Sequence, residues 1–237
     1  GFSDHVMAPS ESLIPVDDHI PLYVASLAEP AGCVQNALEP LNPQKGERII
    51  IYGGGSVGLM AALACREMGV IPLIIEKDEK KIERSEAFQR AENIIVRKET
   101  TDSEFDMALN ACADPTAFSM CVAKLAKGGR LSFFGGLKKN KDIETNLLNL
   151  MHYKEMTLRG AYGLTRKNLK DALILIGKKP GSFEKLIEEI IPPERAAELM
   201  PDILSGKTLK YVIDFSGNGK KLNLFQGTPG KEVSKKK

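Results

Sequence analysis

Charge of one sign is missing from this chain: 33 basic and 31 acidic residues leave a net +2. That balance supplies no electrostatic footprint for nucleic acid or an anionic membrane. Long apolar runs are missing too. No segment approaches the ~20 residues of a membrane span, and acidic residues near the N-terminus interrupt any signal-peptide core, so a cytoplasmic location is expected. The 4 cysteines, at positions 33, 65, 112 and 121, lack Cys-x-x-Cys spacing and read as reduced residues of apolar patterns. The 3 histidines, at 5, 19 and 152, lack i,i+4 partners, so no self-contained zinc site is visible. What is plentiful is apolar surface. A content of 43% hydrophobic residues over 237 positions suits one large or two modest domains with a buried core.

The stretch "RIIIYGGGSVGLMAALACREMG", 48–69, runs an apolar strand into three glycines and leaves along an amphipathic segment with Leu59, Leu63 and Ala64 at helical spacing. Gly53, Gly55 and Gly58 fit G-x-G-x-x-G. In that pattern the first glycine allows the tight turn, the second admits a pyrophosphate to the backbone, and the third lets helix approach strand. The turn includes Ser56 and Val57, where helix N-terminal amides face phosphate. A second strand, Val70 to Ile75, ends at Glu76, 18 positions beyond Gly58 (58 to 76), where a carboxylate accepts from an adenosine ribose. This favours NAD over NADP, although Lys77 and Lys81 stand close enough to soften repulsion of a 2′-phosphate. Glycine clusters also mark plain turns, and Glu76 also opens a charged run that reads as a solvated helix entrance.

Farther on, strand and helix continue to alternate. A helix is predicted through "KIERSEAFQRAEN", strands at "NIIV" and "FDMALNACAD", and a helix with Asp114 as N-cap, Pro115 at its first position and Gly128 and Gly129 at its stop. Strands "RLSFFGGL" and "MTLRGAY" and a helix carrying Leu169, Leu173 and Ile176 follow. The fold class is α/β, a doubly wound parallel Rossmann sheet from about Leu41 to Gly177. The flanks, with short apolar pieces before Glu29 and a strand, helix and strand over 187–215, read as parts of a second, β-rich domain.

The segments "GFSDHVMAPSESLIPV", "ASLAEPAGCVQNAL", "IYGGGSVGLMAALACREMG", "LAKGGRLSFFGGL" and "HYKEMTLRGAYG" together resemble the zinc-dependent medium-chain dehydrogenases, the alcohol, sorbitol and threonine dehydrogenase superfamily, and most of all its polyol branch. The resemblance covers about residues 1 to 215. It implies a partial catalytic domain over 1–29, an NAD-binding Rossmann domain over 30–180, a return to the catalytic domain over 181–215 and a polar tail over 216–237. It also implies a zinc in the complete enzyme. The family's zinc-binding Cys and Gly-His-Glu motifs have no counterpart here, so the chain is expected to be incomplete for catalysis alone.

Residue by residue, Glu29 matches the family acid that approaches zinc directly or through its water, and on its own reads as a helix-start carboxylate. Val57 and the motif glycines match the pyrophosphate turn, and Glu76 and Lys81 the ribose and adenine side. Asn110, Ala111 and Cys112 match the loop beside the cofactor. Phe134, Gly135 and Gly136, with Ala161 and Tyr162, match segments lining the nicotinamide; plain core packing is the alternative for Phe134 and Tyr162. Gly163 stands where animal-type sorbitol dehydrogenases carry an arginine, so the sorbitol label does not transfer. The resemblance implies a small alcohol or polyol substrate, and as partners a homo-oligomer or a separate N-terminal polypeptide. Two other readings stay open: a dinucleotide-binding module without chemistry, and a methyltransferase, which shares the glycine turn and acidic strand end.

Overall fold

A computed structural model describes residue 3 and residues 5–138, 142–206 and 208–216. The expected polar tail lies outside the described residues beyond Ser216. Short helix α1 (Leu22–Ala25) and α2 (Ala28–Leu38) lead into β1 (Arg48–Tyr52), α3 (Ser56–Glu67), β2 (Ile71–Ile75), α4 (Glu79–Arg84), α5 (Glu86–Glu92) and β3 (Ile95–Arg97). The second half runs β4 (Phe105–Asn110), α6 (Pro115–Lys124), β5 (Leu125–Phe133), α7 (Thr145–Tyr153), β6 (Thr157–Gly160) and α8 (Arg166–Lys178). Then come α9 (Pro180–Glu184), β7 (Ile187–Ile191), α10 (Ala196–Leu204) and β8 (Lys210–Ile213).

The first six strands form one sheet in the order β3-β2-β1-β4-β5-β6, and every neighbouring pair is parallel. This is the doubly wound α/β fold expected from the sequence, with its topological switch between β1 and β4. Strand β1 is apolar on both faces because both are covered. Ile49 and Ile51 join Ile74, Met107 and Leu109 against α2, α3 and α8. Ile50 and Tyr52 join Leu73, Ile75 and Phe105 against α6. The first of these clusters also takes in Val24, Phe183, Ile187 and Val212, so the flanking segments share the core of the sheet. Strands β7 and β8 pair as a separate two-stranded parallel sheet. Among the described residues, no helix is long and apolar enough to cross a membrane.

Local structure departs from the sequence reading in three places. Helix α6 stops at Lys124, well before Gly128 and Gly129, because Leu125 is fully buried and pairs with Phe105 in the sheet. The glycines instead bend the start of β5, where the β4 register shifts: Gly128 has φ +72, and a Cβ on Gly129 would stand 2.8 Å from that of Leu125. The single helix expected over "KIERSEAFQRAEN" breaks at buried Ser85, whose hydroxyl donates to the Ile82 carbonyl at 2.9 Å. Helix α7 was not signalled by the sequence pattern; none of its residues is buried.

A further feature shapes the site. The crossover from β3 to β4 is a short loop, 98–104, rather than the usual helix. The sheet face beside α6 is therefore thinly covered near β2 and β3: Ile71 and Ile95 are 58% and 50% exposed.

Candidate functional site at the carboxyl ends of the strands

Just beyond the ends of β1, β2, β4, β5 and β6 the parallel ladder continues by one further bond each. Glu76 N–H donates to the Arg97 carbonyl (2.9 Å), Gly53 to Ile75 (2.9 Å), Ala111 to Tyr52 (2.9 Å), Gly135 to Asn110 (2.7 Å) and Ala161 to Phe133 (3.0 Å). These bonds draw Glu76, Gly53, Ala111, Gly135 and Ala161, each singled out in the sequence, onto one rim at the switch point. Asn110 is fully buried, and its side-chain amide donates to the Gly135 carbonyl at 3.0 Å, tying the ends of β4 and β5 together. A Cβ on Gly135 would stand 2.6 Å from the Cys112 carbonyl oxygen, whereas one on Gly136 would meet nothing within 4 Å.

The glycines of the first turn have different steric roles. Gly53 has φ +118, and its Cβ would stand 2.9 Å from the Ala111 oxygen. A Cβ on Gly58 would fall 1.9 Å from the Gly53 oxygen, so helix and strand meet at this position without room for a side chain. A Cβ on Gly55 would meet no atom within 4 Å. Gly55 is also the N-cap of α3, which has no side-chain cap and no acidic residue in its first turn. The first intrahelical bond is Leu59 N–H to the Gly55 carbonyl at 3.0 Å, so the amides of Ser56, Val57 and Gly58 have no acceptor within the helix and carry its positive end. That cradle fits an anion such as a pyrophosphate.

Glu76 borders the cradle. Its carboxylate accepts from Gly54 N–H at 2.9 Å and from Asp78 N–H at 3.0 Å, one bond to each oxygen, which leaves acceptor capacity for further donors. Gly54 was missed by the motif reading, although it stands inside the triple glycine: a Cβ there would lie 2.7 Å from that of Glu76. Lys77 reaches across to Asp114 at 3.2 Å on the surface, and Lys81 stands half-buried in α4. Beside them a pocket of about 590 Å³ is lined by Tyr52, Ile75, Lys77, Lys98, Thr116 and Met120. Its opening follows from the short β3–β4 loop. Of these residues only Lys77 was singled out in the sequence, because a wall built from four elements leaves no local pattern. Another pocket, about 480 Å³, lies between segment 14–20 and α8 and is lined by none of the rim residues.

On the other side of the switch, Phe134 packs half-buried against the core, while Tyr162 is fully exposed, which removes core packing as its role. Helix α2 meets this rim through Asn36, whose amide faces the Tyr162 and Gly163 carbonyls. Two turns earlier on the same helix is Glu29, exposed, accepting from the Cys33 thiol at 3.4 Å. Burial and the Glu29 charge push the Cys33 thiol up to about 11, and burial raises that of Cys112, so both are protonated at neutral pH. Cys65 and Cys121 are buried and, like the other two, unpaired.

A zinc centre of the family kind needs three protein ligands and an open position. Among the described residues no group of three or more His, Cys, Asp or Glu could hold a metal ion. Glu29 with a neutral thiol one turn away does not fit that group.

Comparison with known proteins agrees with this architecture. Residues 56–178, just over half of the chain, match the family described as zinc-binding dehydrogenase. An uncharacterized zinc-type alcohol dehydrogenase-like protein of Haemophilus influenzae is 24% identical over 212 residues, 86% of this chain and 61% of its own length. An L-threonine 3-dehydrogenase of Saccharopolyspora erythraea is 24% identical over 226 residues, 91% of this chain and 64% of its own. The chain thus spans less than two thirds of each relative. Among solved structures, acetophenone reductase of Geotrichum candidum in complex with NAD superposes with TM-score 0.71 at 20% identity, covering 86% of this chain and 59% of that one. The chain belongs to the zinc-binding dehydrogenase family.

Proposed function

We propose that this chain is the cofactor-holding portion of an NAD-dependent dehydrogenase acting on a secondary alcohol or polyol. The observation that carries the reading is the open cradle over Gly55, set between two glycines that have no room for a side chain and bordered by the Glu76 carboxylate. The amides of Ser56 to Gly58 would hold the pyrophosphate, Glu76 would accept from the ribose hydroxyls, and the pocket lined by Ile75 and Met120 would take the adenine. The carboxylate favours NAD over NADP, with Lys77 and Lys81 as the tempering charges. Phe134 to Gly136, Ala161 and Tyr162, with Ala111 and Cys112, would hold the nicotinamide end. When bound, the nicotinamide supplies the hydride acceptor or donor. The chain's own residues bind and orient it.

Residues 30–180 form the cofactor domain in this reading, and 1–29 with 181–215 belong to a catalytic domain; the separate β7–β8 sheet supports that division. The protein is cytoplasmic, and its partners are the small alcohol and either further copies or a polypeptide that completes the substrate side. Among the described residues no group of His, Cys, Asp or Glu fits a zinc centre. That misfit favours a second reading, a dinucleotide-binding module without turnover.

The test is a titration of the purified 237-residue chain followed by NADH fluorescence, then an assay with zinc, NAD and a panel of polyols, secondary alcohols and L-threonine. The expected outcome is saturable NADH binding, competed by ADP-ribose, with negligible turnover. Absence of NADH binding, or preference for adenosylmethionine, overturns the cofactor reading. Chelator-sensitive turnover by this chain alone overturns its incompleteness for catalysis.

A further inference from the structure

The turn that carries Tyr162 has little to hold it. The Tyr162 side chain is fully exposed, so no packing fixes its ring. Gly163 follows at φ +70 with nothing within 4 Å of a Cβ position, a conformation that glycine adopts without steric cost. Before the turn, Ala161 packs on the core and its N–H donates to the Phe133 carbonyl at 3.0 Å, so the anchoring ends one residue short of Tyr162. Against this, Asn36 Nδ2 donates to the Gly163 carbonyl at 3.0 Å and lies 3.3 Å from that of Tyr162. Helix α2, which carries Asn36, is rigidly seated: Ala31, Val34, Ala37 and Leu38 are at most 2% exposed. A Cβ on Gly32 would lie 3.4 Å from Leu164 and Leu169 atoms, so the helix and the segment after the turn are in close contact. One amide therefore transmits the position of a buried helix to the open end of the crevice.

We propose that Asn36 is a positioning residue for the nicotinamide end of the cofactor site, acting through the 161–163 turn; this rests on the cofactor reading above. The side-chain amide of Asn36 has two N–H groups to offer the two carbonyls, where a carboxylate has none. The adenosine end hangs on Glu76 and the Gly55 cradle, on elements that Asn36 does not touch. The two halves of the dinucleotide should respond separately to its loss.

The experiment compares NADH with ADP-ribose, which keeps the adenine, both phosphates and a ribose but lacks nicotinamide. Wild-type chain, Asn36→Ala and Asn36→Asp are titrated with each, and folding is checked by circular dichroism and thermal midpoint. Asn36→Asp is isosteric but turns oxygens toward the two carbonyls. Both variants are expected to lose about tenfold in NADH affinity and the fluorescence enhancement of bound NADH, with ADP-ribose affinity within about twofold; the aspartate is expected to be at least as damaging as alanine. Equal loss of both ligands, unchanged NADH binding, or an aspartate variant indistinguishable from wild type would each overturn the proposal, and Asn36→Ala keeps the test decisive if the aspartate variant does not fold. Failure of the wild type to bind either ligand brings down the cofactor reading itself, and is seen before any variant is made.

Discussion

Gly55 and Gly58 stand three positions apart in one motif, yet the space around them predicts opposite phenotypes. At Gly58 an added Cβ would fall 1.9 Å from a backbone oxygen, which no side-chain adjustment relieves. Gly58→Ala should cost about 3 kcal/mol or more of stability, read as a lower midpoint in urea. Gly55→Ala meets nothing at φ −73, so stability should stay within about 0.5 kcal/mol while NADH affinity falls about tenfold or more, since the methyl occupies the space left for phosphate. Equal stability loss in both would return Gly55 to a packing role. Glu76→Ala combines the two effects. It strips acceptors from the Gly54 and Asp78 amides, costing about 1–3 kcal/mol of stability, and NADH binding should weaken by a similar amount while NADPH loses less. Equal weakening of both cofactors would show that the carboxylate does not discriminate. The motif glycines and Glu76 were legible because their spacing is local. Asn36 and the pocket wall were not, since both rest on residues distant in sequence, brought together from 52 to 120 in the wall and from 36 to 163 in the Asn36 contact.

Helix boundaries separate the legible from the illegible in a different way. The start of α6 was readable because its chemistry is local: the Asp114 carboxylate accepts from Thr116 N–H at 2.8 Å ahead of Pro115. Its end was not, because burial of Leu125 in the sheet overrides the glycines as a stop. Helix α7, lying on the surface with only Leu147, Leu150 and Met151 leaning on the core, offers a narrow apolar stripe that the pattern underweights. For α6 the cap sets a prediction. Asp114→Ala should destabilise by about 1 kcal/mol, measured as a shift in the urea midpoint, with most of the loss from the cap because the Lys77 pair is largely exposed. Partial burial raises the Asp114 pKa, but the Thr116 amide and Lys77 outweigh it and hold the carboxyl below its ordinary 3.8. A lowered folded pKa means that the contribution is present above pH 3.8 and is lost as pH falls through the lower folded value. The wild-type advantage over Asp114→Ala should therefore persist at neutral pH and vanish only in strong acid. An advantage unchanged by acid would place it outside the carboxylate.

At the scale of the molecule, the core crosses the proposed division into cofactor and catalytic domains. Val24 and Leu27, from the segment before residue 30, are 1% and 3% exposed. Within α2, Ala31, Val34, Ala37 and Leu38 are buried in the same cluster as Ile49 of β1, Leu59 of α3 and Ile176 of α8, and the cluster reaches Phe183, Ile187 and Val212. Each large apolar side chain so buried contributes about 1.5–3 kcal/mol, against a typical net stability of about 5–15 kcal/mol. Removing residues 1–38 would expose the α3 and α8 faces that α2 covers, and the loss would match the whole margin. The deletion chain is therefore expected to lack a cooperative thermal transition, whereas the full chain should unfold in one step with coincident far-ultraviolet dichroism and tyrosine signals. A fragment of residues 39–216 that melts cooperatively near the full chain's midpoint would refute the shared core and make the Rossmann sheet a self-sufficient unit. If the expected result holds, the helix carrying Glu29 and Asn36 is a structural member of the half that carries the glycine turn, sharing one core with the sheet.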